Sequence, residues 1–315
     1  MAATAILSLG TRGSPLALWQ ANAVAARIAE RGGPPCRIVV IKTTGDRLQD
    51  SPLAEYGGKG LFVKELEEAL LAGTIDLAVH SSKDMAVVLP AGLTIAAALP
   101  REDPRDAVVL PTSFLGTVDA LTGLGHAPLV GTSSVRRVAQ LRQTLPAARF
   151  APIRGNLGTR LAKLEDGTVG ALVLAAAGLR RLGFGHRIAF TLPAEVCVPA
   201  PGQGTVAVEV RADDRSVHAA VEPVNDAATL ATLTAERRLV AAIGGGCQMP
   251  LGALATHAET GMLDLQAVVV SSDGSRIVRA AARGTVGEAE ALGTTVASQL
   301  IAKGAGAILA EARAR

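Results

Sequence analysis

Short apolar runs rich in β-branched residues alternate with amphipathic stretches over the first two thirds of the chain. The apolar runs have the length of buried strands and are bounded by turn-forming residues. Strands are predicted at Ile6–Leu9, Arg37–Ile41, Ile75–His80, Leu93–Ala98, Ala107–Leu110, Arg149–Ile153 and Ala171–Leu174. Helices are predicted at Pro15–Glu30, Leu61–Leu71, Ser134–Thr144 and Asn156–Leu164. Strands that alternate with helices indicate α/β domains with parallel sheets.

The C-terminal part of the chain has a different pattern. Strand-like runs follow one another without a helix between them, at Ala253–Thr256, Leu263–Val270 and Arg276–Arg283. A turn is predicted at Ser272–Ser275 and a helix near Glu288–Ala302. This order predicts a separate α+β module. The proline-rich segment Pro193–Pro201 predicts a crossing between domains.

A chain of 315 residues with 49% hydrophobic content is long and apolar enough for two or three domains. Its most apolar stretch, Met85–Pro100, is broken by Pro90 and Gly92. It is also shorter than the roughly 20 residues that a membrane-spanning helix needs. The N-terminus lacks the basic start of a signal peptide. These features predict a soluble, cytoplasmic protein.

Basic residues are concentrated between Gly131 and Arg181, where nine of them accompany only two acidic residues. They are Arg136, Arg137, Arg142, Arg149, Arg154, Arg160, Lys163, Arg180 and Arg181. The planar guanidinium group of arginine binds a carboxylate or phosphate through two parallel hydrogen bonds. Several of these arginines follow Gly and Ser at predicted helix starts, where anions are favoured. The segment predicts a site for a ligand with several negative charges; a solvated basic helix face is the alternative.

Nucleic acid is a poor candidate for that ligand. The net charge is only +3 and aromatic residues make up 2% of the chain, so a polyanion or stacked bases would find little to bind. Gly57–Gly60 lacks the spacing of a phosphate-binding P-loop, and no dinucleotide-binding glycine motif opens a helix. A small molecule with several carboxylates is therefore predicted.

Two further positions suggest chemistry. Lys83 and Asp84 follow the end of the predicted strand Ile75–His80. Ligands bind beyond the carboxyl ends of strands in parallel sheets. The alternative is that Lys83 and Asp84 simply close a turn, with Asp84 capping the next helix. Cys247 follows three glycines that suit an accessible thiol, whereas a lone cysteine is usually a small buried hydrophobe.

Metal binding is not expected. The three cysteines, Cys36, Cys197 and Cys247, show no C-x-x-C spacing and no neighbouring histidine cluster. Both a zinc site and a disulfide framework are therefore disfavoured.

Short motifs with turn, basic and acidic residues follow one another between residues 10 and 250. They are Gly10–Gln20, Gly57–Glu67, Ala78–Asp84, Arg101–Asp106, Gly131–Arg137, Arg154–Arg160, Pro201–Gly204 and Gly245–Gln248. In this order the motifs resemble those of the porphobilinogen deaminase (hydroxymethylbilane synthase) family. Each motif is weak alone, but the set is highly specific. Residues after 250 match only in pattern.

The resemblance implies a transferase of tetrapyrrole biosynthesis. Such an enzyme condenses four porphobilinogen molecules head to tail into linear hydroxymethylbilane and releases ammonia at each step. The growing chain is anchored on a dipyrromethane cofactor, which is attached covalently through the cysteine that matches Cys247. Each ring adds two carboxylates, and charge-assisted hydrogen bonds of about 1.5–3 kcal/mol each account for the many arginines.

Residue roles follow from the same resemblance. Asp84 matches the catalytic carboxylate, whose charge stabilises cationic pyrrole species. The residues that match the cofactor-binding set are Lys83, Thr132, Ser134, Arg136 and Arg137. The residues that match the set binding substrate or the growing chain are Arg12, Ser14, Gln20, Arg154, Arg160 and Arg181.

The resemblance also implies three domains. Residues 1–103 and 198–222 form the first and residues 104–197 the second, both α/β and built like type II periplasmic binding proteins. Residues 223–315 form a smaller α+β domain that carries the cofactor cysteine. Residues 46–58 predict a lid with Lys59 and Phe62 at its base, or else a plain surface loop. A monomer without nucleic-acid or membrane partners is expected.

Two other functions remain compatible with the residue types alone. A non-catalytic binding protein of the same architecture would use the arginines to capture an anion and would not need Asp84 or Cys247. A lysine-dependent lyase would use Lys83 to form a Schiff base with its substrate.

Overall fold

The computed structural model describes residues 6–47, 63–244 and 249–314, with Arg47 described by its backbone alone. Contacts divide the chain into two compact units. The first unit comprises Met1–Glu102 and Thr205–Leu230, and the second comprises Asp103–Gly204 and Ala231–Arg315.

The first unit is built on a five-stranded sheet. Its strands are β1 (Leu7–Thr11), β2 (Cys36–Val40), β3 (Leu77–Ser81), β4 (Leu93–Ala98) and β10 (Val206–Arg211). They lie in the order β2-β1-β3-β10-β4. Strands β1, β2 and β3 are parallel, and β10 runs antiparallel to both of its neighbours.

Helices cover both faces of this sheet. They are α1 (Pro15–Glu30), α3 (Lys64–Leu71) and α7 (Arg215–Val221), while the four-residue helix α2 (Thr44–Arg47) follows β2. One face buries Leu9, Val79 and Val208 against Val24 and Ile28 of α1. The other face packs against the buried leucines of α3. Each apolar face is thereby removed from water, which is the main favourable term in folding.

Helix α1 begins and ends where the sequence predicts. Ser14 caps it by accepting a hydrogen bond from the Ala17 N–H at 3.3 Å, and Pro15 occupies the first turn, where no N–H is needed. Gly32 follows the helix with φ +76°, a conformation that glycine adopts without steric cost.

The second unit contains a sheet of the same design. Its strands are β5 (Asp106–Val109), β6 (Leu129–Gly131), β7 (Arg149–Ala151), β8 (Ala171–Ala175) and β9 (Ile188–Thr191). They lie in the order β7-β6-β8-β5-β9. Strand β5 is antiparallel to both neighbours, as β10 is in the first unit. The helices that follow β6, β7 and β8 are α4 (Val135–Thr144), α5 (Leu157–Glu165) and α6 (Ala176–Arg181).

The second unit also contains an antiparallel sheet of β11 (Leu251–His257), β12 (Met262–Val270) and β13 (Ile277–Thr285). Helices α8 (Ala227–Ala242), which belongs to this unit from Ala231 onward, α9 (Ala289–Ala302) and α10 (Ala305–Arg313) accompany it. The predicted turn between β12 and β13 is present. Gly274 has φ +79°, and Asp273 Oδ1 accepts a hydrogen bond from the Ser275 N–H at 3.0 Å.

The predicted fold class is confirmed. Two α/β sheets share one strand order, in which the fourth strand is antiparallel, and a smaller antiparallel sheet with helices lies in the C-terminal part of the chain. This is the predicted combination of two type II periplasmic-binding-protein-like α/β domains with a smaller α+β part. Strands β6, β9 and β10 and helices α2, α6, α7, α8 and α10 were not predicted.

None of the helices in the described residues is long and apolar enough to cross a membrane.

Gly293 in α9 lies at a close helix crossing. A Cβ built there would be 2.5 Å from the Ala235 carbonyl oxygen of α8 and 2.9 Å from the Arg238 side chain. We expect Gly293→Ala to lower the free energy of unfolding by about 1–3 kcal/mol, because the helix backbones must separate.

The matched control is Gly306→Ala in α10, where an added Cβ would meet nothing within 4 Å. That change should stabilise the protein by about 0.5–1 kcal/mol, because alanine loses less backbone entropy in a helix. Thermal unfolding monitored by circular dichroism measures both. Equal midpoints for the two variants would contradict the close crossing.

Candidate functional site

Parallel strands bring their carboxyl ends to one edge of each sheet, and the antiparallel strand brings its amino end to the same edge. In the first unit this edge carries Arg12 after β1, Lys83 and Asp84 after β3, and Thr205 before β10. The Ser82 N–H donates to the Thr205 carbonyl oxygen at 3.0 Å, which fixes the chain where β3 ends. Ligands bind beyond such strand ends in α/β sheets.

Asp84 ends a single 3₁₀ turn, Ser82–Asp84, directly after β3. The Met85 N–H closes this turn on the Ser82 carbonyl oxygen at 3.2 Å. The Asp84 side chain is exposed and makes no hydrogen bond or ion pair with any residue of the described ranges. It therefore does not act as a helix cap. Lys83 beside it is half-buried.

The other predicted residues of this edge have partners of their own. Arg12 Nη2 is 2.5 Å from Asp46 Oδ1, and Gln20 Nε2 donates to Ser81 Oγ at 2.8 Å. Although partial burial opposes ionisation, the hydrogen bonds and charge of Arg12, with the hydrogen bonds of Thr43, lower the pKa of Asp46. Ser14 is engaged as the cap of α1. Arg12 and Gln20 are thus held in place before any ligand binds.

A buried polar pair joins β3 and β10 and was not anticipated from sequence. His80 Nε2 lies 2.9 Å from Glu209 Oε2, and the two side chains are 3% and 0% exposed. Ala207 of β10 pairs with His80 of β3, and Glu209 lies two residues after Ala207. Because side chains alternate along a strand, Glu209 and His80 lie on the same face of the sheet. A single histidine and a single glutamate in two apolar strands form no sequence pattern that predicts a contact between them.

In the second unit, the corresponding edge collects the starts of α4, α5 and α6. Ser134 caps α4 by accepting from the Arg137 N–H at 3.4 Å, and Asn156 caps α5 by accepting from the Thr159 N–H at 3.0 Å. The hydroxyl oxygen of Thr132 accepts from the Ser134 N–H at 3.3 Å. Backbone N–H groups at helix starts favour anions at this edge.

The arginines of the basic segment separate into three groups by burial. Arg142, Arg149 and Arg180 are exposed, as a solvated face requires. Arg154, Arg160 and Arg181 are half-buried. Arg136 and Arg137 are only 4% and 7% exposed. A single basic surface does not account for this separation.

Two of the half-buried arginines are oriented by backbone carbonyl groups. Arg160 Nε donates to the Gly155 oxygen at 2.9 Å, and Arg181 Nη2 donates to the Gly204 oxygen at 2.7 Å. Gly155 has φ +102°, which permits the turn between β7 and α5.

Asp106 holds the buried arginines. It is fully buried at the start of β5, with Oδ1 at 2.7 Å from Arg137 Nη2 and Oδ2 at 2.8 Å from Arg136 Nη1. Burial alone would disfavour the ionised carboxylate, but the charges and hydrogen bonds of Arg136 and Arg137 hold the pKa of Asp106 far below its usual range. Asp106 lies in a motif of the family resemblance, yet its pairing with α4 depends on the strand order.

The two cysteines that the structure describes are poor nucleophiles. Cys197 is fully buried, and burial together with the charge of Asp106 raises the pKa of Cys197 to about 12. Burial and the charge of Asp76 also raise the pKa of Cys36. Cys247, Lys59, Phe62 and residues 48–58 of the predicted lid lie outside the described residues.

The residues present fit a ligand with several carboxylates. All hydrogen bonds of Arg136 use Nη1, so Nε and Nη2 have no acceptor within the described part of the chain. Two guanidinium groups oppose one carboxylate at this point, which leaves positive charge for an anion. In the same described ranges, no group of three or more His, Cys, Asp or Glu is placed to hold a metal ion.

The chain is similar to proteins of one family over nearly its whole length. Residues 7–219 match the family model "Porphobilinogen deaminase, dipyromethane cofactor binding domain", and residues 230–302 match the model of the C-terminal domain. The porphobilinogen deaminase of Moorella thermoacetica is 46% identical over 310 residues, covering 98% of this chain and 97% of the relative. That of Thiobacillus denitrificans is 45% identical over 305 residues, covering 96% and 97%.

Solved structures match the chain less closely. The Bordetella pertussis BvgS periplasmic VFT2 domain has a TM-score of 0.41 at 16% identity, over 70% of this chain and 86% of that one. The methionine-binding protein MetQ has a TM-score of 0.43 at 12% identity, over 70% and 89%.

The low pKa of Asp106 predicts a defined pH dependence of stability. Its folded-state pKa lies below the unfolded value of about 3.9, so ionised Asp106 stabilises the fold above about pH 4 and this contribution is lost as the pH falls further. Asp106→Asn should lower the free energy of unfolding by about 3–5 kcal/mol at pH 7, because two buried guanidinium groups lose their counter-charge.

Denaturant titrations at several pH values measure this difference. It should be constant between pH 5 and 8 and become smaller below about pH 4. Asp264→Asn is the control, because that carboxylate is exposed and its removal should change stability little. A difference that varies between pH 5 and 8 would mean that Asp106 titrates there.

Proposed function

This chain belongs to the porphobilinogen deaminase family, and we propose that it condenses four porphobilinogen molecules head to tail into linear hydroxymethylbilane, with release of ammonia at each step. The observation that carries the proposal is the match of residues 7–219 to the cofactor-binding family model. That range contains Asp84 and the whole arginine-rich segment. The chain is then a transferase of tetrapyrrole biosynthesis.

The cofactor of the family is dipyrromethane. When bound, it supplies the pyrrole to which incoming porphobilinogen is joined. We assign Lys83, Thr132, Ser134, Arg136 and Arg137 to hold its acidic side chains. The Nε and Nη2 groups of Arg136, which have no acceptor among the described residues, and the capped start of α4 support this assignment.

Cys247 is proposed as the covalent anchor. The buried, protonated thiol of Cys197 and the raised pKa of Cys36 support this choice, because a thioether forms from an accessible thiol with thiolate character.

Substrate carboxylates are assigned to Arg12, Ser14, Gln20, Arg154, Arg160 and Arg181. Charge-assisted hydrogen bonds from arginine are roughly twice as strong as neutral ones. The carbonyl groups that orient Arg160 and Arg181 reduce the entropy lost when a carboxylate binds. Arg12 is paired with Asp46, so a substrate carboxylate competes with that residue for the guanidinium group.

Asp84 is proposed as the catalytic carboxylate. Loss of ammonia from porphobilinogen leaves a positively charged methylene-pyrrole, and an adjacent negative charge stabilises it. The exposed Asp84 side chain, without a partner among the described residues, is available for pyrrole N–H groups. It can also share in moving protons to the leaving amine and from the ring.

The remaining parts of the proposal concern organisation. We expect a cytoplasmic monomer without nucleic-acid or membrane partners. The division into residues 1–103 with 198–222, 104–197 and 223–315, and the lid at residues 46–58 with Lys59 and Phe62 at its base, remain predictions.

Intact-mass analysis tests the anchor. Wild-type protein should carry a covalent two-pyrrole adduct and give colour with Ehrlich's aldehyde reagent, whereas Cys247→Ser should lack both because no thioether can form. Cys36→Ser is the matched control and should stay loaded. An adduct that persists on Cys247→Ser would overturn the assignment.

Turnover tests Asp84. Asp84→Asn should keep the fold and the adduct but release ammonia from porphobilinogen about 10²-fold more slowly or worse, the size of effect seen when one electrostatic stabiliser is removed. Asp213→Asn, which removes an exposed carboxylate at the end of β10, is the control and should be as active as wild type. Near-normal turnover by Asp84→Asn would refute the role.

A further inference from the structure

Asp106 forms a buried cluster with Arg136, Arg137, Cys197 and Gln203. This Asp106 cluster does more than fill the core of the second unit. We propose that Asp106 is the positioning residue that sets the orientation of Arg136 and Arg137 for the cofactor carboxylates, and that Gln203 holds Asp106 in that position. This inference rests on the proposed function. Neither Asp106 nor Gln203 belongs to the residues assigned above.

The carboxylate of Asp106 is saturated with donors. Oδ1 accepts from Arg137 Nε at 3.0 Å, from Arg137 Nη2 at 2.7 Å and from Gln203 Nε2 at 2.9 Å. Oδ2 lies 2.8 Å from Arg136 Nη1 and accepts from Cys197 Sγ at 3.4 Å. Five donors converge on two oxygens, so Asp106 has little freedom to rotate.

The guanidinium groups are also held from a second direction. Arg137 Nη1 donates to the Val173 carbonyl oxygen at 3.1 Å, and Arg136 Nη1 donates to the Val198 carbonyl oxygen at 2.7 Å. The plane of each guanidinium group is therefore fixed by Asp106 and by a backbone carbonyl group. Arg136 keeps Nε and Nη2 without an acceptor in the described ranges.

The charges do not balance. Arg136 and Arg137 contribute two positive charges and Asp106 one negative charge, while the Gln203 amide and the protonated Cys197 thiol are neutral. A buried charge without a counter-charge is unfavourable, and a purely structural cluster is better served by apolar residues. An anionic ligand at this edge removes the imbalance.

Gln203 connects the cluster to the rest of the edge. Its Nε2 donates to the Pro104 carbonyl oxygen at 2.7 Å as well as to Asp106. The next residue, Gly204, accepts the hydrogen bond from Arg181. The segment Gly202–Gly204 thus links the arginines proposed for the cofactor with one proposed for the substrate. This accounts for a glutamine between two glycines, a motif with no assigned role above.

The decisive variant is Asp106→Glu, which keeps the charge but moves the carboxylate by one methylene. Unloaded protein is incubated with porphobilinogen, and intact mass gives the concentration that loads half of the molecules. We expect Asp106→Glu to fold and to need at least about tenfold more porphobilinogen, equivalent to about 1.4 kcal/mol. Asp106→Asn should load still less, and Gln203→Leu should show a smaller rise.

The control for stability is Val296→Ala. Val296 is a fully buried side chain of the second unit, on helix α9, which packs against β12 and β13. This variant should lose thermal stability yet load within about twofold of wild type, well under the tenfold that 1.4 kcal/mol represents. The comparison thereby distinguishes an effect on thermal stability from an effect on covalent loading of the cofactor.

The outcomes distinguish this inference from the proposed function. Wild-type loading by Asp106→Glu would overturn the positioning role, even if Asp106→Asn failed to fold. Equal loading defects in Val296→Ala and Asp106→Glu would reduce Asp106 to a structural residue. A wild-type protein that never acquires the adduct would refute the proposed function, and the inference with it.

Discussion

The arginine-rich half of the site depends on one interaction. A buried carboxylate, that of Asp106, lies between the guanidinium groups of Arg136 and Arg137. Asp106 could not remain ionised in the core without Arg136 and Arg137, and neither arginine could be buried without Asp106. Because the cluster joins the start of β5 to the first turn of α4, it fixes where α4 begins relative to the sheet. The positions of Ser134, Arg136 and Arg137, which are proposed to hold the cofactor, follow from that placement.

The shared strand order of the two α/β sheets explains why each has a functional edge. In both, the antiparallel fourth strand begins where the parallel strands end. In the second unit this places Asp106 beside the carboxyl end of β8, and in the first it places Thr205 beside Ser82. Polar groups buried at these strand ends hold the Asp84 turn and the arginines in fixed positions, so little reorganisation is left for ligand binding.

Much of the fold was predictable because its signals are local. Ser14, Ser134 and Asn156 each cap a helix that begins within one residue of the predicted position. Strand β6 was missed because three residues are too few to show a period. Strand β10 was missed because its strand character depends on pairing with β3 and β4, which are far away in the sequence.

The sequence by itself determined the family, the fold class, the boundaries of α1, α4 and α5 and the set of residue types that bind carboxylates, because motifs, caps and apolar periodicity are encoded over a few neighbouring positions. Only the tertiary structure decided which arginines are buried and what neutralises them. Asp106 lies 30 residues before Arg136 and 97 before Gln203. No local sequence pattern predicts such long-range contacts, because burial and charge compensation arise only when separate strands and helices pack together.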